Sequence, residues 1–347
     1  MNALASGAIG GVIFLLVMMI SLIAHEAGHL VGGIVSGFQP VSIRLFQWTW
    51  CVGDRRWRRC RITQGQIIAH VLLDPPKDES KFKVTGYFLG GPVANLVVGG
   101  GASLLTLVWG PETIIGFIVI AFALLNFGSG IGNLIPLNWG VPNDAMNVYL
   151  ARKSAAVRHG IYVMMRVNAH LMRGNRLRDL PGDLFVFEDG DDEKPTLYTA
   201  IVKLYEGVRY AEMGYPKLLG DILDEIDCSQ LGKAEAAKIK SETLYHTLVY
   251  RHDDEMAQTL LTPEVKRYVT SETPSALRIR AACSFFLDHD HVQGFQCVTK
   301  ARHLLLRLDN QGLVGGERDE LDILVSHVNA VPSSPSSMDE EDTIKSE

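Results

Sequence analysis

The run AIGGVIFLLVMMISLIAHEAGH, residues 8–29, joins a long apolar segment to three ionisable side chains. Its first part, residues 8–24, carries no charge, and His25, Glu26 and His29 follow at once. An apolar stretch of about 20 residues can span a bilayer as a helix. Ionisable groups at that depth are costly unless they are paired or bound to a metal, which makes them functional candidates. The run therefore predicts a membrane-embedded helix that carries a polar site.

The spacing of the two histidines indicates a metal site. His25 and His29 are four residues apart, so on a helix they lie one above the other on one face. Two imidazoles at this spacing can bind one zinc ion, and Glu26 lies where it can take a proton from a water on the metal. A polar cluster at the water interface is the alternative, although it needs no particular spacing. We predict that the histidines are zinc ligands and that Glu26 is catalytic.

Composition limits the class of protein. The chain has 347 residues, is 47% hydrophobic and carries a formal net charge of -6. These averages suit a membrane part joined to a soluble part, and they argue against nucleic-acid binding, which requires a basic surface. The five cysteines lack CxxC spacing and indicate free thiols of a reducing compartment. A pairing of Cys51 with Cys60 across a hairpin remains open.

Three segments are long and apolar enough to span a bilayer, at about 7–35, 86–109 and 112–135. A short turn at Gly110 joins the second and third, so these two form an antiparallel hairpin. Between the first two spans, segment 38–75 alternates in polarity and is rich in β-branched and aromatic residues. It predicts a small antiparallel sheet. The fold class is therefore mainly α, with a three-span membrane core and a β insertion.

Charge predicts the orientation in the membrane. Basic residues outnumber acids in segment 38–85, which places this loop on the cytoplasmic side and the C-terminal region in the cytosol. We predict a membrane core over 1–150, a helical connector with an acidic loop over 151–194 and a cytosolic helical domain over 195–330. The tail, 331–347, is rich in Ser, Pro and acids and is predicted to be disordered. The protein is thus predicted to be a multi-pass protein of a bacterial cytoplasmic membrane.

A weak repeat of 38 residues runs through the cytosolic domain. Each copy has an amphipathic segment, a polar turn and a second helical segment, with turns at Met213–Tyr215, Arg251–Asp253 and His289–His291. This pattern is typical of helical hairpins of the tetratricopeptide kind, and it predicts a surface for a cytosolic protein partner. An irregular helical bundle is the alternative.

A catalytic zinc needs a third protein ligand and one open position. Asp144 is the best candidate, because Pro136 and Gly140 break the chain at the end of the third span, at the membrane depth of the two histidines. Irregular backbone at this depth requires surrounding protein or a water-filled cavity. His70 and His159 are other candidates, and we interpret both as surface histidines.

Three motifs in this order resemble the site-2 protease family of intramembrane zinc metalloproteases. They are His25–His29 in a first core span, Gly91–Asn95, which is similar to the family's GxxxN, and Asn133–Asp144, which is similar to its NxxPxxxxDG. The resemblance covers roughly residues 5–150. The sequence departs from the pattern at Asn143-Asp144-Ala145, where the family has Leu-Asp-Gly, and it has no PDZ-like insert.

The resemblance implies a three-helix catalytic core and a β-hairpin region that aligns substrate as an added strand. It also implies hydrolysis of membrane-spanning or membrane-proximal peptides. Carried over, His25, His29 and Asp144 bind zinc, Glu26 acts as general base and acid, and Asn95 holds the substrate backbone.

Two hypotheses of function follow. The first is an intramembrane zinc endopeptidase that uses its cytosolic domain to recruit or gate substrate. The second is a membrane-anchored scaffold whose helical domain binds a cytosolic partner and whose metal site is vestigial. A transporter is disfavoured, because three spans provide no pair of repeats.

Overall fold

The structure is a computed structural model that describes residues 3–53, 56–59, 69–138, 142–187 and 196–330. Most of this part of the chain is helical, and a small antiparallel sheet follows the first helix. The mainly α class and the β insertion are therefore confirmed.

Several predictions concern residues outside those ranges. Cys60, the acidic run Glu188–Glu193 and the tail 331–347 are among them. Residues 139–141, which belong to the predicted break before Asp144, also lie outside the described residues.

Three helices of the described residues are long and apolar enough to cross a membrane. They are α1, Ala3–Val35; α2, Val84–Trp109; and α3, Ile114–Leu134. Large apolar side chains such as Leu107 and Ile114 are exposed on them, which suits a surface that lipid covers. Gly110 ends α2 with a φ of 66°, a conformation that favours glycine. The three predicted spans are confirmed as membrane-length helices.

Within the described ranges the sheet contains four antiparallel strands in the order β3-β2-β1-β4. Their bounds are β1, Gln39–Leu45; β2, Trp48–Cys51; β3, Arg56–Arg59; and β4, Ala69–Asp74. β4 pairs with β1 on one side, so that Ile43 lies opposite Val71. On its other edge the N–H of Val71 donates to Glu26 of α1, against which β4 packs. The sheet therefore ends at the strand that lies closest to the histidines.

Ten further α-helices follow the spans in the part of the chain that the structure describes. They are α4, Asp144–Lys153; α5, Ala155–Met172; α6, Leu197–Glu212; α7, Pro216–Glu225; α8, Lys233–His246; α9, Asp254–Leu260; α10, Pro263–Val269; α11, Pro274–Phe286; α12, His291–Leu305; and α13, Gln311–Ala330. Side chains at their N-termini explain several of the boundaries. Thr196, Thr262 and Thr273 each accept a hydrogen bond from a backbone N–H of the first turn, which is the capping role for which threonine is favoured.

The predicted polar turns lie at the ends of helices. Gly214, His252 and His289 have positive φ of 90°, 53° and 52°, the left-handed conformation that commonly ends a helix. The first and third turns join α6 to α7 and α11 to α12, which pack as hairpins. The middle copy differs, because α8 continues into a π-helical turn at Thr247–Arg251 and packs mainly on α10 and α11. Helical hairpins are present, and the tetratricopeptide organisation stays a prediction.

Helix α5 links the sheet to the helical domain. Its residues Ile161, Val163 and Val167 are fully buried in one core with Leu73 of β4 and side chains of α2 and α6. A separate core joins α8 to α13. The sheet therefore lies between the spans and the helical region.

A polar contact joins the helical domain to the sheet. Asp309, in the loop between α12 and α13, is 4% exposed and accepts hydrogen bonds from Arg44 of β1 and Thr49 of β2. The Thr49 Oγ1–Asp309 Oδ2 distance is 2.6 Å. This pair, Arg44 and Asp309, holds the loop of the helical domain against the strands.

Candidate metal centre

The two histidines lie on one face of α1, as their spacing predicts. Their Nε2 atoms are 3.1 Å apart, and their rings meet edge to face. His29 is buried, and His25 is partly so. Helical geometry alone therefore brings the two ring nitrogens to one point.

Asp144 reaches the same point from the first turn of α4. Its Oδ2 atom is 3.2 Å from His25 Nε2, and its Oδ1 atom is 3.5 Å from His29 Nε2. The ligand atoms of the three residues lie within 4.8 Å of one another, so the group could hold a metal ion. Sequence reasoning predicted this triplet, and the structure brings all three side chains together.

Asn143 fixes the position of the aspartate. Its Oδ1 atom accepts from the backbone N–H groups of Met146 and Leu137, and its Nδ2 atom donates to the carbonyls of Gly132 and Ile135. The first of these bonds caps α4. The others tie the start of α4 to the end of α3. Asp144 therefore follows a residue that fastens the irregular segment at both ends.

Glycines allow α1 and α2 to pack closely around the centre. A Cβ atom on Gly28 would lie 2.2 Å from the Gly90 carbonyl oxygen, so the two backbones touch at this point. A Cβ atom on Gly91 would lie 2.6 Å from His29 Nε2 and 2.8 Å from His25 Nε2. Gly28 thus serves helix packing, whereas Gly91 leaves space beside the ring nitrogens.

Tyr87 holds His29 in one tautomer. The Tyr87 carbonyl oxygen is 2.9 Å from His29 Nδ1, and a carbonyl can only accept a hydrogen bond. His29 Nδ1 therefore carries the proton, and in the neutral ring Nε2 keeps its lone pair for a metal. His25 has no such support among the residues described, since its Nδ1 atom is buried without a partner there.

Glu26 points to the edge of the sheet beside the centre. Its Oε2 atom accepts a hydrogen bond of 3.1 Å from the N–H of Val71. The carbonyl oxygen of Val71 accepts a hydrogen bond from Tyr87 Oη at 3.2 Å. Both backbone groups of Val71 are thus bound from α1 and α2, which fixes β4 and orients the Glu26 carboxylate.

Asn95 bonds a neighbouring span. It is fully buried, and its Nδ2 atom donates to Ser129 Oγ of α3 at 2.8 Å. Its Oδ1 atom has no partner within the described ranges. The contact supports a helix-packing role, and a role in holding substrate stays a prediction.

The two other histidines lie outside the cluster. His70 in β4 is half-buried rather than a surface residue, and its burial together with the Arg44 charge lowers its pKa to about 4. His159 Nδ1 lies 2.9 Å from Glu79 Oε2. Neither belongs to the group that could hold a metal ion.

Sequence reasoning missed three parts of the centre. Tyr87 acts on His29 through its backbone, and Val71 acts on Glu26 in the same way, so neither side-chain type signals the contact. Asn143 does carry a signal, because asparagine is a favoured N-cap residue.

Comparison with known proteins adds no relative, since no family model, curated protein or solved structure matches this chain.

Proposed function

We propose that this chain is an intramembrane zinc metalloendopeptidase that hydrolyses membrane-spanning or membrane-proximal peptides. One observation carries the proposal: His25 and His29 of the membrane-length helix α1 converge with Asp144 of α4 on one point beside Gly91 of α2, and Glu26 follows His25 on α1. A polar cluster at a water interface has no reason to converge in this way.

The donor set fits zinc. A tetrahedral ion with bonds of about 2.0 to 2.1 Å holds its ligand atoms roughly 3.3 Å apart. The two Nε2 atoms are 3.1 Å apart. Of the two Asp144 oxygens, Oδ2 lies 3.2 Å from His25 Nε2 and Oδ1 lies 3.5 Å from His29 Nε2, which is close to that spacing. Two imidazole nitrogens and one carboxylate suit zinc better than calcium or magnesium, which prefer six or more oxygen ligands. Three protein ligands also leave a fourth position, and the missing Cβ of Gly91 gives it space.

In the proposed hydrolysis, Glu26, Val71 and Tyr87 have different roles. Zinc, when bound, supplies Lewis-acid polarisation of a carbonyl and makes water more acidic. Glu26 takes the proton from that water and returns it to the leaving nitrogen. The N–H of Val71 keeps the Glu26 carboxylate aimed along the sheet edge. The carbonyl of Tyr87 keeps the His29 Nε2 lone pair available.

The sheet supports a role in presenting peptide. β4 is an end strand of the described sheet, and its outer edge lies next to Glu26. The N–H and C=O of Val71 on that edge are bonded to Glu26 and Tyr87, and a peptide bound there would displace these two contacts. An extended peptide can bind to such an edge through backbone hydrogen bonds. We propose that a substrate unwinds near the bilayer surface and lies along β4, and that the helical domain, predicted to be cytosolic and tetratricopeptide-like, recruits or gates it.

A membrane-anchored scaffold is the second candidate. Val292 and Phe295 are exposed at the start of α12 and line one surface depression, and exposed apolar side chains that lie together mark interaction sites. A scaffold does not require metal, so the zinc content separates the two functions.

The test is Glu26→Gln in the full-length protein. Metal content of the purified protein is measured together with a comparison of membrane proteomes from cells that carry either form. We expect about one zinc per chain in both forms, and a loss of cleavage of at least roughly 100-fold in the variant, since general acid–base catalysis contributes this much. Glu112→Gln, in the exposed turn between α2 and α3, is the matched control and keeps activity. Cleavage that survives in the zinc-loaded Glu26→Gln form would refute the mechanism, and a metal-free parent protein would favour the scaffold.

A further inference from the structure

A basic cavity of about 640 Å³ lies where the end of α1 and the start of α2 meet the α4–α5 junction. Lys83, Arg152 and Arg158 line it, and none of the metal-centre residues does. Phe82 and Val84 supply buried apolar side chains to its wall. The cavity therefore combines three cations with an apolar surface, at the ends of two membrane-length helices.

The positive charge of the cavity is not neutralised within the described part of the chain. None of the lining residues is acidic. Arg152 donates to Thr85 Oγ1 at 3.3 Å, which leaves its charge unpaired. Lys83 and Arg158 form no ion pair with any described side chain. The acids nearby are engaged elsewhere: Glu79 contacts His159, and Asp78 pairs with Lys81.

The start of α2 adds backbone donors to the same cavity. Lys83 is the N-cap residue of this 26-residue helix, and it provides no side-chain cap. The first N–H groups of a helix lack partners within the helix and favour an anion. Val84, Thr85 and Gly86 of this first turn all line the cavity. Three side-chain cations and a helix N-terminus thus line one volume, a combination that favours phosphate.

The position of the cavity points to lipid as the source of the phosphate. It opens beside Ser36, one residue after Val35 ends α1 with 81% exposure. In a bilayer this level corresponds to the headgroup region, because the apolar surfaces of both helices begin here. We propose that this cavity binds the phosphate of an anionic phospholipid whose acyl chains lie along α1 and α2.

Lipid binding to the full-length protein tests the proposal. Retention of phosphatidylglycerol and of phosphatidylcholine is measured by native mass spectrometry from mixed detergent micelles. The cavity variant combines Lys83→Gln, Arg152→Gln and Arg158→Gln. We expect it to bind phosphatidylglycerol at least roughly tenfold more weakly than the parent protein, since several charge-assisted bonds are lost. Phosphatidylcholine, which has no net charge, should bind weakly to both.

A second triple variant is the matched control. Lys77→Gln, Lys81→Gln and Lys153→Gln remove the same charge from exposed positions near the cavity that do not line it. We expect this variant to retain phosphatidylglycerol within about twofold, since none of the three side chains lines the cavity. Equal losses in the two triple variants would overturn the proposal, because general attraction to an anionic surface would then explain binding. Equal retention of the two lipids by the parent protein would also overturn it.

Inorganic phosphate separates lipid from a soluble ligand. In large excess, it should displace little phosphatidylglycerol, since it lacks the acyl chains. Full displacement would assign the cavity to a soluble phosphate and refute the lipid. If the cavity triple variant does not fold, Lys83→Gln and Arg158→Gln are measured singly, and each should weaken phosphatidylglycerol binding severalfold. Unchanged binding in both single variants would contradict the proposal.

Discussion

Asp309→Ala tests how firmly the helical domain is held against the sheet. The substitution removes the carboxylate that accepts hydrogen bonds from Arg44 and Thr49. The Arg44 side chain is 15% exposed and Thr49 is fully buried, so water replaces the lost partner poorly. Removing one member of a buried ion pair typically costs about 3 to 5 kcal/mol. Arg44 keeps a bond of 3.3 Å to Thr49 Oγ1, and we therefore expect the lower end, about 3 kcal/mol of unfolding free energy.

Urea titration of the full-length protein in detergent measures this change. Trp48 and Trp50 lie on either side of Thr49 in β2, so tryptophan fluorescence reports on the strands that Asp309 contacts. The control is Asp322→Ala, which removes an exposed aspartate paired with Arg302. Exposed pairs contribute about 0 to 1 kcal/mol. If Asp309→Ala costs no more than Asp322→Ala, the contact does not hold the domain and the reasoning fails.

Two further predictions concern pH and the metal centre. Burial, with the Arg44 charge, lowers the pKa of His70 from 6.5 to about 4. As the pH falls, the unfolded chain therefore binds this proton before the folded chain does, and the free energy of unfolding decreases between pH 6.5 and 4 by about 3 kcal/mol in total. In urea titrations across this range, His70→Gln should make the decrease smaller. An unchanged slope in the variant would contradict the assignment. Gly91→Ala places a methyl group beside the ring nitrogens of His25 and His29, and it should weaken zinc affinity at least roughly tenfold in a chelator competition. The control Gly100→Ala lies on the same helix, where the added methyl group meets open space, and it should leave zinc affinity unchanged. Equal affinity in the two variants would refute the role of Gly91.

Local spacing explains which parts of the site could be predicted. The positions of His25 and His29 on one face follow from helical periodicity alone. Asp144 was predictable because the break after the third span lies at the depth of the histidines. The bond between Glu26 and Val71 was not, because the two residues are 45 positions apart and one of them contributes only backbone. Contacts of this kind depend on how strands and helices pack, and residue type alone does not predict them.

In the helical domain, too, the sequence predicts local features better than packing. Its polar turns were predictable, since the chain reverses at Gly214, His252 and His289 at intervals close to the predicted repeat. The repeat did not predict the middle copy, where a π-helical turn prolongs α8 and alters its packing. A repeating turn therefore specifies where helices end more reliably than it specifies which helices pack together.

A continuous set of contacts joins the helical domain to the candidate catalytic carboxylate. Asp309 bonds Arg44 of β1, and the next residue along this strand, Ile43, pairs with Val71 of β4. Val71 in turn donates to Glu26. A displacement of β4 would therefore break the Glu26 contact and the Tyr87 contact together, since both are made to Val71. This arrangement gives the proposed gating by the helical domain a definite mechanical element, namely the position of β4. It also explains why a centre built from side chains on α1 and α4 needs a sheet beside it, because the strand orients the one acidic side chain that the metal ligands leave unconstrained.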